Sequence, residues 1–529
     1  MAKRIVLVST LPCYVAVLVF TLLAGRISQG QGQDTALQLE QAKTSVIALI
    51  ESGKYEEADA DVNRLIADFE PSEAKGQAIY QIAGAYKGAK KYTKAIELWR
   101  NAIANQPKAG YAVWCQMEVA WVNIAIGNYN EAQAEVAKLA SDYKDDPNLP
   151  WTLNIIADHY TWVSKYEQAK EVYQQVIQKD PNNPYAGKAR MGIARADALS
   201  LIGSKSYTDA QVAVEKMKGD FGDNPDLPEV LYQVAQQFGW ERRYDEAKDI
   251  YQQIVQRYPS NPYTAKAQKC IQKTGQISNI ISSLIESGNY KQAQSAADEL
   301  IANFGDEPDV PAALYHIASR LEEKQRYAEA KYIYEQIIWR YPVDSQAQRA
   351  KVDVRRTKVL SFYCVGDLGG AQAELNAMVT DFNGQPHLPT AVILAAEGVY
   401  ERARDVNTDE ARPHILKTIE ILDIVINRIG LSAEVPNALI LAGECYERLG
   451  QYEQAISAYK RVPTEFPDYD RAGHALFMVG RCYEQLGRTK AIAQTEADAG
   501  ASQAYKGVVE HYPTSKAARA AKDWLNRSQ

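Results

Sequence analysis

The sequence runs to 529 residues, 46% hydrophobic and 24% charged, a composition that excludes a disordered or collagen-like chain. Its 59 basic and 66 acidic residues give a formal charge of -7 with no Lys/Arg run, so the basic footprint of a nucleic-acid binder is missing. There is no Gly-rich phosphate loop, H-E-x-x-H pair or nucleophile elbow, and His159, His316, His387, His414, His474 and His511 stand apart without metal-ligand spacing. A non-enzymatic chain is expected, with no catalytic residue, cofactor or metal site assigned.

The first element is a targeting segment over residues 1–30. Lys3 and Arg4 precede a largely apolar stretch from Ile5 to Ala24, and Arg26 to Gln33 is polar and rich in Gly and Gln. A charged start, an apolar middle and a small-residue exit make a secretory signal, with cleavage near Gly30. The stretch is also nearly long enough to span a bilayer, so an uncleaved N-terminal anchor is the alternative. Both imply export. Residues 31–36 then read as a short polar linker. Cys13 lies inside the apolar stretch; Cys115, Cys270, Cys364, Cys445 and Cys482 have no C-x-x-C spacing and read as small buried helix residues.

From Leu37 to about residue 388 the chain repeats itself. Five anchors, Tyr92, Tyr166, Tyr244, Tyr327 and Tyr452, are followed three residues on by Ala95, Ala169, Ala247, Ala330 and Ala455. Seven on come Trp99, Tyr173, Tyr251, Tyr334 and Tyr459; fifteen on come Pro107, Pro181, Pro259, Pro342 and Pro467. Offsets of zero, three and seven fall on one stripe of a helix. Alanine lets a neighbouring helix approach, the aromatic fills the next layer, and proline ends the helix because it cannot donate a backbone bond. A second series interleaves, anchored on Tyr55, Tyr129, Tyr207, Tyr290 and Leu368, with alanine three on and Phe69, Tyr143, Phe221, Phe304 and Phe382 fourteen on. Each anchor is preceded by a second amphipathic segment, so each unit is a helix–turn–helix, and the two series alternate as a double repeat.

The pattern lapses over 389–434, where "EARPHILKTIEILDIVINRIG" reads as one longer helix with Pro413 in its first turn. It resumes over 435–513, apart from an insertion near 488–502 that reads as a loop. Residues 514–529, with Lys516, Arg519 and Lys522, read as a polar capping helix.

"ALILAGECYERLGQYEQAISAYKRVPTEFP" (Ala438 to Pro467) resembles a tetratricopeptide repeat, with Gly443, Tyr446, Tyr452, Ala455, Tyr459 and Pro467 at its signature positions. The exits "RYPSNPYTAKAQ" and "HYPTSKAARAAKDWL" resemble the exported BamD-like outer-membrane assembly proteins and the periplasmic repeat protein of the Tol-Pal system. The resemblance implies an all-α, right-handed α-solenoid of about twelve tetratricopeptide-like hairpins. It also implies an envelope scaffold that binds protein or peptide partners, in outer-membrane assembly, cell-wall synthesis or secretion. A periplasmic or envelope location goes with it.

By the same resemblance, the first helix of each hairpin lines a concave surface at positions fifteen, twelve, eight, five and four residues before the anchor. That count selects Tyr80, Trp114, Trp121, Trp151, Trp162, Tyr232, Trp240 and Tyr315, together with Arg195 and Arg356, which are placed to meet an acidic partner. Two readings of the aromatics stay open. They pack between adjacent first helices as core, or they form a recognition groove for peptide anchors or sugar rings, cell-wall fragments included.

Overall fold

The computed structural model describes residues 31–404, 408–429 and 432–527; the expected signal or anchor over 1–30 lies outside them. The described residues form twenty-five α-helices and no strand. The first helices of the hairpins are α1 (Gln31–Glu51), α3 (Glu73–Gly88), α5 (Ala112–Ile126), α7 (Leu149–Trp162), α9 (Ala186–Gly203), α11 (Leu227–Trp240), α13 (Pro262–Ser278), α15 (Val310–Glu323), α17 (Ser345–Cys364), α19 (Leu388–Tyr400), α21 (Val435–Arg448) and α23 (Ala472–Arg488). The second helices are α2 (Tyr55–Asp68), α4 (Tyr92–Asn105), α6 (Tyr129–Asp142), α8 (Tyr166–Lys179), α10 (Tyr207–Phe221), α12 (Tyr244–Arg257), α14 (Tyr290–Phe304), α16 (Tyr327–Arg340), α18 (Leu368–Asp381), α20 (Thr408–Asp423), α22 (Tyr452–Glu465) and α24 (Gln494–His511). The helix α25 (Lys516–Arg527) follows. The fold is therefore a series of tetratricopeptide-like helical hairpins. No described helix is long and apolar enough to cross a membrane.

Each anchor residue begins its second helix, and each first-series helix stops two residues before its proline, where the residue preceding proline is pushed out of helical geometry. The turns are equally regular. The residue two before every anchor has positive φ: Gly53, Gly127, Gly288, Gly366 and Gly450, but also Lys90, Ser164, Lys205, Arg242 and Gln325. The next amide then reaches back to the first helix, as Lys91 N does to Tyr86 O at 2.8 Å and Arg326 N to Leu321 O at 2.8 Å. This left-handed cap satisfies carbonyls that the helix end would otherwise leave unpaired. Glycine takes the conformation without strain; the side-chain-bearing residues take it at about 1 kcal/mol each. A cation then locks the hairpin to the one before it. Lys91 stands 4.3 Å over the Tyr55 ring, Lys165 4.5 Å over Tyr129, and Arg326 4.7 Å over Tyr290.

The chain forms two compact units, one up to Gln237 and one from Phe238. In the first, α3 packs on α4, α5 on α6, and first helices stack on first helices, α5 on α7 and α7 on α9. In the second, α15 stacks on α17, α17 on α19, and α23 on α25. The repeat alanines Ala95, Ala169, Ala247, Ala330 and Ala455 are fully buried, and so are Trp99, Tyr334 and Tyr459 seven residues after their anchors. Burying such a ring contributes about 1.5–3 kcal/mol. Of the five described cysteines, Cys115, Cys270, Cys445 and Cys482 are buried.

Three expectations need correction. Residues 31–36 are not a linker but the opening turns of α1. Pro413 is not in the first turn of its helix, because α20 starts at Thr408 and carries the proline inside it. The insertion near 488–502 is not a loop: most of it lengthens α24, which starts at Gln494.

Candidate functional site

Three consecutive first helices of the first unit turn a stripe toward solvent. On α5 the incompletely buried side chains before its last residue, the exposed Ile126, are Trp114, Glu118, Trp121 and Ala125, and on α7 they include Trp151, Ile155, Asp158 and Trp162. Steps of four, three and four residues keep each set on one face of its helix. On α3 the matching positions are Tyr80, Gly84 and Lys87.

The rings touch across helices. Tyr80 and Trp114 lie 6.5 Å apart, centroid to centroid. His159 sits between two indoles, 4.7 Å from Trp121 and 4.6 Å from Trp162, edge to face with both. Lys87 Nζ stands 4.5 Å over the Trp121 ring and donates to Glu118 Oε2 at 2.7 Å, so this ion pair closes on itself. Burial and the Lys87 charge depress the His159 pKa to about 3, which leaves the imidazole neutral at physiological pH. Trp162 is 62% exposed. The result is an aromatic, electrically quiet surface with one indole standing free.

The ten residues singled out from the sequence divide into three groups. Tyr80, Trp114, Trp121, Trp151 and Tyr232 are half-buried and pack on their neighbours while keeping an edge in solvent. Trp162 is exposed on the first unit, and Trp240, 55% exposed, belongs to the second. Arg195, Tyr315 and Arg356 are corrected, because all three are buried and bonded inside the fold. Arg195 pairs with Asp158 and also donates to Tyr173 Oη at 2.8 Å and Gln233 Oε1 at 2.9 Å. Arg356 pairs with Glu322 and lies 2.7 Å from Asp353 Oδ1. Tyr315 donates to Asp353, whose Oδ1 also meets His387 Nε2 at 3.0 Å.

These acids, Asp158, Glu322 and Asp353, went unnoticed in the sequence. For Asp158 and Glu322 the available signal was an arginine twelve residues before an anchor with a carboxylate on the preceding first helix; Asp353 stands three residues before Arg356 on α17 itself. Burial alone would raise the Asp353 carboxyl, but Arg356 and His387 outweigh it and hold the group below the usual range. Glu322, beside the same guanidinium, is pushed up by its burial. Among the described residues, no three His, Cys, Asp or Glu side chains gather as a metal-binding group.

Comparison with known proteins bears on the hairpins. A tetratricopeptide repeat model matches residues 164–183, 229–261 and 437–469, and a second tetratricopeptide repeat model matches residues 279–345. No curated protein matches the chain. Among solved structures, a tetratricopeptide repeat protein from Parabacteroides merdae is similar at 12% identity, covering 54% of this chain and 96% of that one, with a TM-score of 0.30. A monomeric mutant of IFIT1 with Gppp-AAAA is similar at 15% identity, over 76% of this chain and 94% of that one, with a TM-score of 0.31. The Cut9–Hcn1 hetero-tetramer of the APC/C is similar at 13% identity, over 95% and 96%, with a TM-score of 0.25. The repeat models fall on α8, on the hairpins α11/α12 and α21/α22, and on α14 with the hairpin α15/α16, and the protein carries tetratricopeptide repeats in an all-α fold.

Proposed function

We propose that this protein is an exported scaffold that binds protein or peptide partners in the cell envelope, and that it grips them with the first-helix face of its first unit. One observation carries the reading: the aromatic run across α3, α5 and α7 ends in an indole that is 62% exposed. Rigid rings supply large contact area at small entropic cost, and such residues dominate binding energy at interfaces. Because Lys87 and Glu118 neutralise each other and His159 is uncharged at neutral pH, the face selects partners by apolar and aromatic anchors. Export rests on the charged, apolar and small-residue pattern of residues 1–30.

The test places a photo-activatable cross-linker at Trp162 in the cells of origin, with Lys108 as an exposed control site. The expected outcome is a defined envelope protein captured from position 162 only. The purified pair should then lose about tenfold in affinity on Trp162→Ala. Identical capture from both positions, or cross-linking confined to cytoplasmic proteins, would overturn the reading.

A further inference from the structure

Repeats make departures from pattern visible. Twelve residues after the first-series anchors stand Ala104, Gln178, Gln256 and Thr464, but Trp339 in the remaining hairpin. All five positions are exposed, so no packing demand explains an indole there. Thirteen residues after the second-series anchors stand Asp68, Asp142, Asp220 and Asp381, but Asn303 in the remaining one. The two exceptions meet. Trp339, at the end of α16, and Asn303, at the end of α14, line one open cleft in the second unit, with Lys269, Asp306, Glu307 and Tyr341 around them.

Apart from the indole and the small Ala302, the exposed side chains of the cleft are polar; Ile301 and Phe304 line it from within the core. Trp339 is 73% exposed, and the Arg340 guanidinium lies 5.1 Å from the ring centroid. Lys269 pairs with Glu307, and the remaining lining charges, Arg340 and Asp306, are of opposite sign. The Tyr341 hydroxyl oxygen is shielded from water and has no hydrogen-bond partner. Gly305 admits the close approach there, since a Cβ at that position would stand 2.5 Å from Ile301 O and 3.4 Å from Tyr341 Oη.

We infer that this cleft is a saccharide-binding site, with Trp339 as the platform on which a pyranose ring lays its C–H face. Asn303 and the Asp306 and Glu307 carboxylates are placed to meet its hydroxyls. An amide both donates and accepts, whereas the aspartate found in the other repeats only accepts and carries a charge. Exchanging that charge for an amide, beside an indole with no packing role, suits an uncharged, hydroxyl-rich ligand. A protein interface sets an apolar centre inside a polar rim, whereas here Trp339 has no second large apolar side chain exposed beside it, because Ile301 and Phe304 line the cleft but are buried. The site lies outside the α3, α5 and α7 face and does not depend on it.

The test titrates the full chain with chitotetraose, cellotetraose and maltotetraose to millimolar concentration, followed by calorimetry and tryptophan fluorescence. At least one tetraose should bind. Trp339→Ala should weaken it by about tenfold or more, Asn303→Asp should weaken it as well, and Trp162→Ala should leave it unchanged. Both variants change exposed positions, and circular dichroism checks that they are folded. If none of the three tetraoses binds, or if binding survives Trp339→Ala, the assignment fails. Neither result touches the cross-linking expected at Trp162, so the two proposals stand or fall separately.

Discussion

Arg195 and Arg356 share a register, twelve residues before the anchor of their hairpins, and a fate that counting positions does not reveal. Helical spacing places a side chain on a face, but it does not say whether another helix covers that face. Here first helices stack on first helices, α7 on α9 and α15 on α17, and the stacked neighbour brings the acid that pairs with each arginine. Arg356 has a second acid on its own helix, Asp353, three residues before it, and that residue shows what a buried pairing is worth. It is fully buried and held by Tyr315, His387 and Arg356. Asp353→Ala strands a buried guanidinium with one partner fewer and is expected to cost about 3 kcal/mol, near the lower end for breaking a buried ion pair. Urea unfolding measures this. The pH dependence follows from the sign of the shift. A carboxyl held below its unfolded value, about 3.9, contributes stability above that value and loses it as pH falls through the folded one. Glu322, pushed up by burial, acts with the opposite sign, so the comparison has to be made at Asp353 alone. Between pH 5 and 3, wild-type stability is expected to fall more steeply than that of Asp353→Asn. Parallel slopes would refute the assignment.

At the scale of the helix, local chemistry made most of the fold readable. Ten second helices begin at the predicted anchor, and five end where their proline requires. What escaped were elements whose signal was packing. The run over 488–502 reads as a loop in the sequence because it inserts extra residues before the final helix. Yet it is rich in alanine, a strong helix former, and Gly500 is needed by contact: a Cβ there would lie 2.6 Å from the Tyr483 ring. Gly443, by contrast, was legible as a repeat signature, and its reason is the same. A Cβ at 443 would stand 2.5 Å from Tyr459 Cε1, and the ring cannot swing away freely because its hydroxyl donates to Glu447 Oε2 at 2.7 Å. Gly443→Ala is therefore expected to destabilise by about 1–3 kcal/mol through overpacking. Gly84, whose added Cβ would meet nothing within 4 Å, provides the contrast: Gly84→Ala should stabilise by about 0.5–1 kcal/mol because only backbone entropy changes. Thermal melts of the two variants should move in opposite directions. A loss of stability in both would mean that the glycines serve the backbone and not the ring.

On the scale of the whole molecule, the concave surface implied by the family resemblance was a partial guide. It found the indoles of α5 and α7, but it could not separate Trp162, free in solvent, from Tyr315, sealed in the core, since both satisfy the same count. The stacking that hides Tyr315 also governs how each unit should unfold. Within a unit a helix packs on the next one and on the next but one, so stability is close to a sum of hairpin and neighbour terms. A lesion in such an array weakens the link between the hairpins on either side of it, whereas in a single shared core it weakens everything together. Ala247 is a suitable place to test this. It is fully buried in α12, and its amide donates to Arg243 O at 3.0 Å. Proline there deletes that bond and drives its ring into the carbonyl four residues back, at a cost of about 3 kcal/mol. Urea unfolding of Ala247→Pro, followed by far-ultraviolet circular dichroism, is expected to separate into two steps, the earlier one carrying the helices around α12. One sharp transition, merely displaced to lower urea, would mean that the second unit folds as a single cooperative block and that its hairpins are not independent contributors.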